Sequence, residues 1–306
     1  MTSIAPVTDI APTTGAGLGL PGSVRFEEGR GGLRRVVVTT PVASAVIYLQ
    51  GAHVTSWVPA GQEDALWVSR RSAFAPGAPI RGGVPVCYPW FGPHPSDGAA
   101  PLHGFARNAM WELDTAVEHD GVVTLAFTLD TSSLQGGGHG AGRLRYTVSV
   151  GAELGLSLQV TNDGPGPLVV EEAFHTYLAV GDVRLASLGG LESVPSLDRL
   201  TGEMLPAPVG ALTIDGETDR LLAQPGVIRV DDPAGRRAIT IRAADSANAV
   251  VWNPGPTKAA AMPDFGDDEW TGMLCVETCN VADGRVAVAP GTTHTMTATL
   301  SVGTLR

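Results

Sequence analysis

The run Leu144-Arg145-Tyr146-Thr147-Val148-Ser149-Val150, then Gly151-Ala152-Glu153, then Leu154-Gly155-Leu156-Ser157-Leu158-Gln159-Val160-Thr161-Asn162, reads as a β-hairpin. Two extended runs meet at a three-residue connection. The same grammar continues outward in both directions. GVVTLAFTLD at 121–130 is a loosely alternating strand just upstream. Further back, RVVVTT from Arg35 and SAVIYLQ at 44–50 are β-branched runs separated by a break at Pro41. Downstream, GVIRV (226–230) and RAITIRA (237–243) flank Asp231-Asp232-Pro233-Ala234-Gly235, a strong turn signal. RVAVA and HTMTATLSV close the chain around Pro290-Gly291. No long amphipathic helix pattern intervenes. The 39 glycines and 23 prolines supply the turns that many short strands require. Strands punctuated this way predict an all-β chain, a large antiparallel β-sandwich or barrel, and the lack of a fixed repeat excludes a propeller.

The chain of 306 residues is long enough to bury a sizeable core, and all-β units of this size occur as single domains. One domain is expected over residues 23–306, preceded by an Ala-, Pro-, Thr- and Gly-rich flexible extension, 1–22. That extension lacks the basic start and apolar stretch of a signal peptide, and no apolar run is long enough to span a bilayer. A net charge of −11 argues against a broad nucleic-acid-binding surface, though a few pocket arginines could still hold one small anion. The three cysteines, Cys87, Cys275 and Cys279, do not form a disulfide framework. Four strand residues span roughly 13 Å, too far for Cys275 and Cys279 to bridge. A reducing, cytoplasmic location is expected. The loop 131–143 carries Gly136-Gly137-Gly138-His139-Gly140 but lacks the strand-before, helix-after context of a phosphate loop.

Four stretches carry chemistry. Arg81-Gly82-Gly83-Val84-Pro85 leads to Pro89-Trp90-Phe91-Gly92, a stiff wall that admits close backbone approach, with an arginine able to fork onto oxygen atoms. His103-Gly104-Phe105-Ala106-Arg107 could turn a histidine and an arginine into one cavity. In Glu171-Glu172-Ala173-Phe174-His175-Thr176-Tyr177, strand periodicity puts Glu171, Ala173, His175 and Tyr177 on one face. In Met273-Leu274-Cys275-Val276-Glu277-Thr278-Cys279-Asn280 a carboxylate interrupts an apolar strand and shares a face with both cysteines. Burial raises such a carboxyl's pKa, the usual tuning of a general base. Alone, each stretch also fits a structural role: a solvated loop, a surface turn, a hydrogen-bonded strand histidine, a salt-bridged glutamate. Neither Cys275 and Cys279 nor the histidines have zinc-site spacing, and no nucleophile elbow or dinucleotide fingerprint occurs.

In this order, and with Glu217-Thr218-Asp219-Arg220 between the last two, these stretches together resemble the glucose-6-phosphate 1-epimerases of the aldose 1-epimerase superfamily, over residues 25–303. The resemblance implies a galactose-mutarotase-like β-sandwich with sugar bound in a cleft on one sheet. It implies His175 and Glu277 as the catalytic pair, Arg81, Arg107 and Asp219 as substrate-binding residues, and His103 beside the anomeric centre. Trp252-Asn253-Pro254 and Met262-Pro263-Asp264-Phe265 also fit the resemblance. Leu102 and Gly255 depart from it, standing where relatives often carry Gln and Trp.

The activity so implied is interconversion of the α and β anomers of a hexose 6-phosphate. The ring opens at C1–O5 and recloses on the other face. Glu277, ionised, would take the C1 hydroxyl proton, and His175, kept charged by that carboxylate, would protonate O5. The expected partner is the sugar phosphate alone, with no cofactor, metal, nucleic acid or membrane, and the expected state is a monomer. An epimerase of unphosphorylated sugars, or a non-catalytic sugar-binding sandwich, would share the same fold.

Overall fold

The computed structural model describes residues 19–133 and 142–305. Residues 1–18 of the expected extension, and Gly136 to Gly140 of the glycine-rich loop, lie outside them. Antiparallel strands dominate the described residues, and one short helix, Gly255–Ala261, is the α-helix among them. A nine-stranded sheet runs in the order Leu212–Thr213, Ser187–Gly189, Val227–Asp232, Arg237–Ala244, Thr293–Gly303, Glu153–Asn162, Gly142–Val150, Val122–Asp130, Glu112–His119. The hairpin read from the sequence sits inside it. Val150 pairs with Leu154, and the Gly151 N–H donates to the Glu153 carbonyl at 3.1 Å.

An eight-stranded sheet faces it. Its order is Glu203–Leu205, Ser196–Asp198, Thr218–Ala223, Asn248–Asn253, Met273–Asn280, Glu172–Phe174, Val86–Cys87, with Tyr177–Ala179 also paired to Met273–Asn280. A four-stranded sheet, Val24–Glu28 to His53–Pro59, completes the core.

Side-chain alternation decides which face of the eight-stranded sheet does what. Phe174, Leu178, Ala249, Val251, Leu274 and Val276 enter the main core with Leu156, Leu158 and Val160 of the nine-stranded sheet. Full burial of each large aliphatic or aromatic side chain contributes about 1.5–3 kcal/mol. The intervening residues Ala173, Tyr177, Val250, Trp252, Cys275 and Cys279 form a second cluster on the opposite face. That second face carries the candidate site. Cys87, Cys275 and Cys279 are buried and unpaired, as expected for Cys275 and Cys279 from their spacing.

Candidate active site

The strand expected to run through His175 is interrupted. Glu172–Phe174 ends and Tyr177–Ala179 begins, with His175 and Thr176 between them. Both segments nevertheless pair with Met273–Asn280 in one register: Phe174 opposite Thr278, Tyr177 opposite Cys275. His175 therefore lies across from Glu277. Its Nε2 is 3.4 Å from Glu277 Oε1, and both side chains are almost fully buried. At the interruption the Thr176 N–H turns back to the Phe174 carbonyl at 2.9 Å, a tight turn centred on His175, and the backbone here also bonds sideways to the Arg81 loop. The His175 N–H donates to the Pro85 carbonyl at 3.0 Å and the Tyr177 N–H to the Gly83 carbonyl at 2.9 Å.

That loop can come so close only because of its glycines. Gly83 has φ of 64°, and a Cβ there would lie 2.2 Å from the Val54 carbonyl oxygen. The turn carries Arg81 to the site's edge. Its Nε and Nη2 donate to the two carboxylate oxygens of Asp264, and its Nη1 donates to the Tyr177 hydroxyl at 3.0 Å. The fork expected to face a ligand is thus already engaged in a bidentate ion pair.

Phe91 and His103 form the adjoining wall. The Gly92 N–H donates to His103 Nδ1 at 3.2 Å and the His103 N–H donates to the Gly92 carbonyl at 2.7 Å. With Nδ1 accepting, the neutral ring carries its proton on Nε2. His103 stands edge-on to His175, ring centroids 5.3 Å apart, and to Phe91 at 4.7 Å. His175 stacks on Tyr177 at 4.8 Å. Arg107 is buried behind this wall. Its Nη2 donates to the Leu102 carbonyl at 2.7 Å, its Nε has no partner, and no carboxylate pairs with it among the described residues. On the sheet itself Asp219 pairs with Trp252, and Trp252 with Cys275. Arg199 Nη1 lies 3.6 Å from Asp219 Oδ1, and its guanidinium sits 5.2 Å from the centre of the Phe91 ring.

The electrostatics reverse one expectation. Burial, then His103, Arg107 and Arg81, hold His175 well below the usual imidazole range. Burial, then the Asp219 charge, push Glu277 well above the usual carboxyl range against the pull of Arg199 and Arg107. The carboxylate was expected to keep the imidazole charged. Desolvation, reinforced by the arginines at the imidazole and by Asp219 at the carboxyl, instead favours the neutral form of each group. Burial, then Arg107, Arg81 and Arg199, also hold His103 neutral. Glu277 Oε2 and His175 Nδ1 have no hydrogen-bond partner among the described residues. Unpaired buried polar atoms are costly, so these two atoms are poised for a ligand.

His175, Cys275 and Glu277 each place a ligand-type atom within 4.8 Å of one another. The charged groups that act on His175 repel a cation, and burial pushes the Cys275 thiol well above its usual range. Both effects oppose a dication and suit a site that handles protons. A separate cavity of about 510 Å³ lies on the nine-stranded sheet, but its arginines Arg143 and Arg145 are already paired with Asp163 and Asp114.

All six residues singled out in the sequence gather on this face or its rim. Sequence reasoning missed Arg199, which carries no motif of its own, and gave no role to Asp264. The two departures also resolve. Leu102 is 56% exposed and offers only its carbonyl. Gly255 has φ of 59° and a Cβ there would lie 2.6 Å from the Glu217 nitrogen, so no larger residue fits.

A buried imidazole–carboxyl pair on one face of an antiparallel β-sandwich, with arginines around it, defines an acid–base site of the kind that a proton-transferring enzyme uses. The aldose 1-epimerase family model matches residues 34–301, and the chain belongs to that family and is a mutarotase-type isomerase. A protein of Escherichia coli provisionally named glucose-6-phosphate 1-epimerase is 37% identical over 257 residues, 81% of this chain and 83% of that one. A plant protein from Cenchrus ciliaris with the same provisional name is 34% identical, covering 85% and 82%. Among solved structures, one from Salmonella typhimurium, provisionally called a mutarotase, superposes with a TM-score of 0.87 at 30% identity over 94% of this chain and 96% of its own. A galactose mutarotase-like protein from Lactobacillus casei shares the fold at TM-score 0.68 and 17% identity, covering 88% and 100%.

Proposed function

We propose that this enzyme interconverts the α and β anomers of a hexose 6-phosphate, glucose 6-phosphate foremost, with His175 and Glu277 as the proton-transferring pair. The observation that carries this is their placement: opposite one another on adjacent strands, 3.4 Å apart, each with a buried unpartnered atom. Together they hold one transferable proton. Ring opening consumes it at O5 and regains one from the C1 hydroxyl, and reclosure reverses the exchange, so the pair ends as it began. Each positioned group contributes about 10²–10⁴-fold. His103 Nε2–H, its tautomer fixed by Gly92, donates to a sugar oxygen. Asp219, with its unpartnered Oδ1, accepts from hydroxyl groups.

Arg107 supports the phosphate assignment. A buried guanidinium without a carboxylate partner is expensive and is matched by an incoming anion. Arg81 adds a second positive centre beside its Asp264 partner. An incoming phosphate offsets the arginines that disfavour a charged His175, and Glu277 acts as base toward the C1 hydroxyl with His175 as acid toward O5. The provisional names of the relatives agree with a phosphorylated substrate. The three free, buried thiols suit a reducing, cytoplasmic setting.

Anomer-exchange NMR tests the reading. His175→Asn should lose at least about 10²-fold in rate with glucose 6-phosphate while keeping its thermal transition. A variant that retains near-native exchange would remove His175 from the mechanism.

A further inference from the structure

Arg199 stands just beyond the strand Ser196–Asp198, and its N–H donates to the Asp219 carbonyl at 2.8 Å. Its side chain lies between two elements of the site. On one side is Asp219 of the sheet, at 3.6 Å; on the other is the ring of Phe91, at 5.2 Å. A Cβ on Gly92 would meet its Nη2 at 4.0 Å. Two features set it apart from the other arginines of the site. None of its side-chain N–H groups has a hydrogen-bond acceptor among the described residues, whereas Arg81 is committed to Asp264 and Tyr177. Its separation from Asp219 exceeds hydrogen-bonding distance, and Asp219 Oδ1, although buried, accepts nothing. Donor and acceptor thus stand side by side with capacity unspent. The Arg199 side chain is 30% exposed, and its guanidinium lies over an aromatic face that restricts its position.

From this arrangement we propose that Arg199 is a substrate-binding residue that, with Asp219, reads a pair of neighbouring sugar hydroxyls. Arg199 donates to the oxygen of one hydroxyl and Asp219 accepts the proton of the other. A vicinal diol offers one of each at the spacing of adjacent carbons. The neighbouring carboxylate also makes Arg199 a poor phosphate site, since Asp219 would repel a dianion, whereas Arg107 pairs with no carboxylate among the described residues. The division of labour is therefore spatial: Arg107 takes the phosphate end, Arg199 and Asp219 take the hydroxyl end. This rests on the proposed sugar-phosphate activity.

The test compares glucose 6-phosphate, free glucose, and the 2-, 3- and 4-deoxy analogues of glucose 6-phosphate, using wild-type enzyme and Arg199→Gln. Binding is measured by calorimetry and turnover by anomer-exchange NMR. Loss of one charge-assisted bond should weaken binding about tenfold. That factor should be the same for glucose 6-phosphate and free glucose. Wild type should discriminate against one deoxy analogue, and Arg199→Gln should lose that discrimination. Arg199→Lys, which keeps the charge but not the fork, should recover binding only in part. A weakening confined to phosphorylated sugars would make Arg199 a phosphate contact and overturn the proposal. So would an unchanged deoxy penalty in Arg199→Gln, or unchanged binding of every sugar. If wild type binds these sugars without exchanging anomers, the activity fails but the calorimetric comparison still decides the role of Arg199.

Discussion

Replacing Glu277 by glutamine should slow anomer exchange and at the same time make the protein more stable than wild type at neutral pH. Glu277 is 1% exposed, one of its oxygens is unpartnered, and its pKa is pushed well up by burial and by Asp219. In the unfolded chain it ionises near pH 4.3. Above that value the folded protein still holds a proton that the unfolded chain has released. Folding is then coupled to proton uptake, and stability falls as pH rises until the folded pKa is passed. One group changes stability by at most about 1.4 kcal/mol per pH unit. Glutamine copies the protonated acid and cannot ionise, so it removes this slope. The stability difference between Glu277→Gln and wild type should therefore grow with pH from about 4.5 upward, at up to that slope. Denaturant titrations at a series of pH values measure it directly. Activity should meanwhile fall about 10²–10⁴-fold. A pH-independent difference would show that the folded protein holds no extra proton on Glu277, and the upward shift of its carboxyl would be refuted.

Other outcomes follow from the same geometry. Arg107→Gln should erode the preference for glucose 6-phosphate over glucose by about tenfold or more, read from the ratio of kcat/KM values; equal loss on both sugars would place the phosphate elsewhere. Gly83→Ala forces a Cβ to 2.2 Å from the Val54 carbonyl and should cost at least about 1–3 kcal/mol, with activity falling as the Arg81 loop shifts; an unperturbed melting curve would contradict the close packing. Phe174→Ala empties a fully buried position in the main core and should cost about 3–5 kcal/mol in a denaturation experiment, with unchanged KM in the fraction that stays folded.

Much of this was legible in the chain because period-two patterning survives burial. The alternation of Cys275, Glu277 and Cys279 against Val276 and Thr278 names the two faces before any coordinates exist. The tight turn at Gly151-Ala152-Glu153 likewise fixes a pairing that the sheet then extends. Other features were hidden for physical reasons. The break at His175 is a tight turn held by bonds to the Pro85 and Gly83 carbonyls, partners some ninety residues away that no local pattern encodes. The protonation of Glu277 depends on desolvation, which exists only once the sheet is buried. Arg199 lies in a stretch with no distinctive spacing, and only the pairing of Ser196–Asp198 with Thr218–Ala223 brings it to Asp219. Asp264 was visible within its short motif, yet its commitment to Arg81 follows from tertiary packing.

The pairing of His175 with Glu277 across two hydrogen-bonded strands also bears on how such an enzyme can diverge. Because the two groups are cross-strand neighbours, inserting or deleting one residue in either strand would turn one of them into the oily interior and abolish turnover outright. The rungs of the ladder are therefore closed to tinkering. The residues around the lip, on the turns that deliver Arg81, Arg107, Arg199 and Asp264, carry no such restriction. On the proposed mechanism, new sugar preferences should arise there by simple exchange of side chains, with the His175–Glu277 pair left in place.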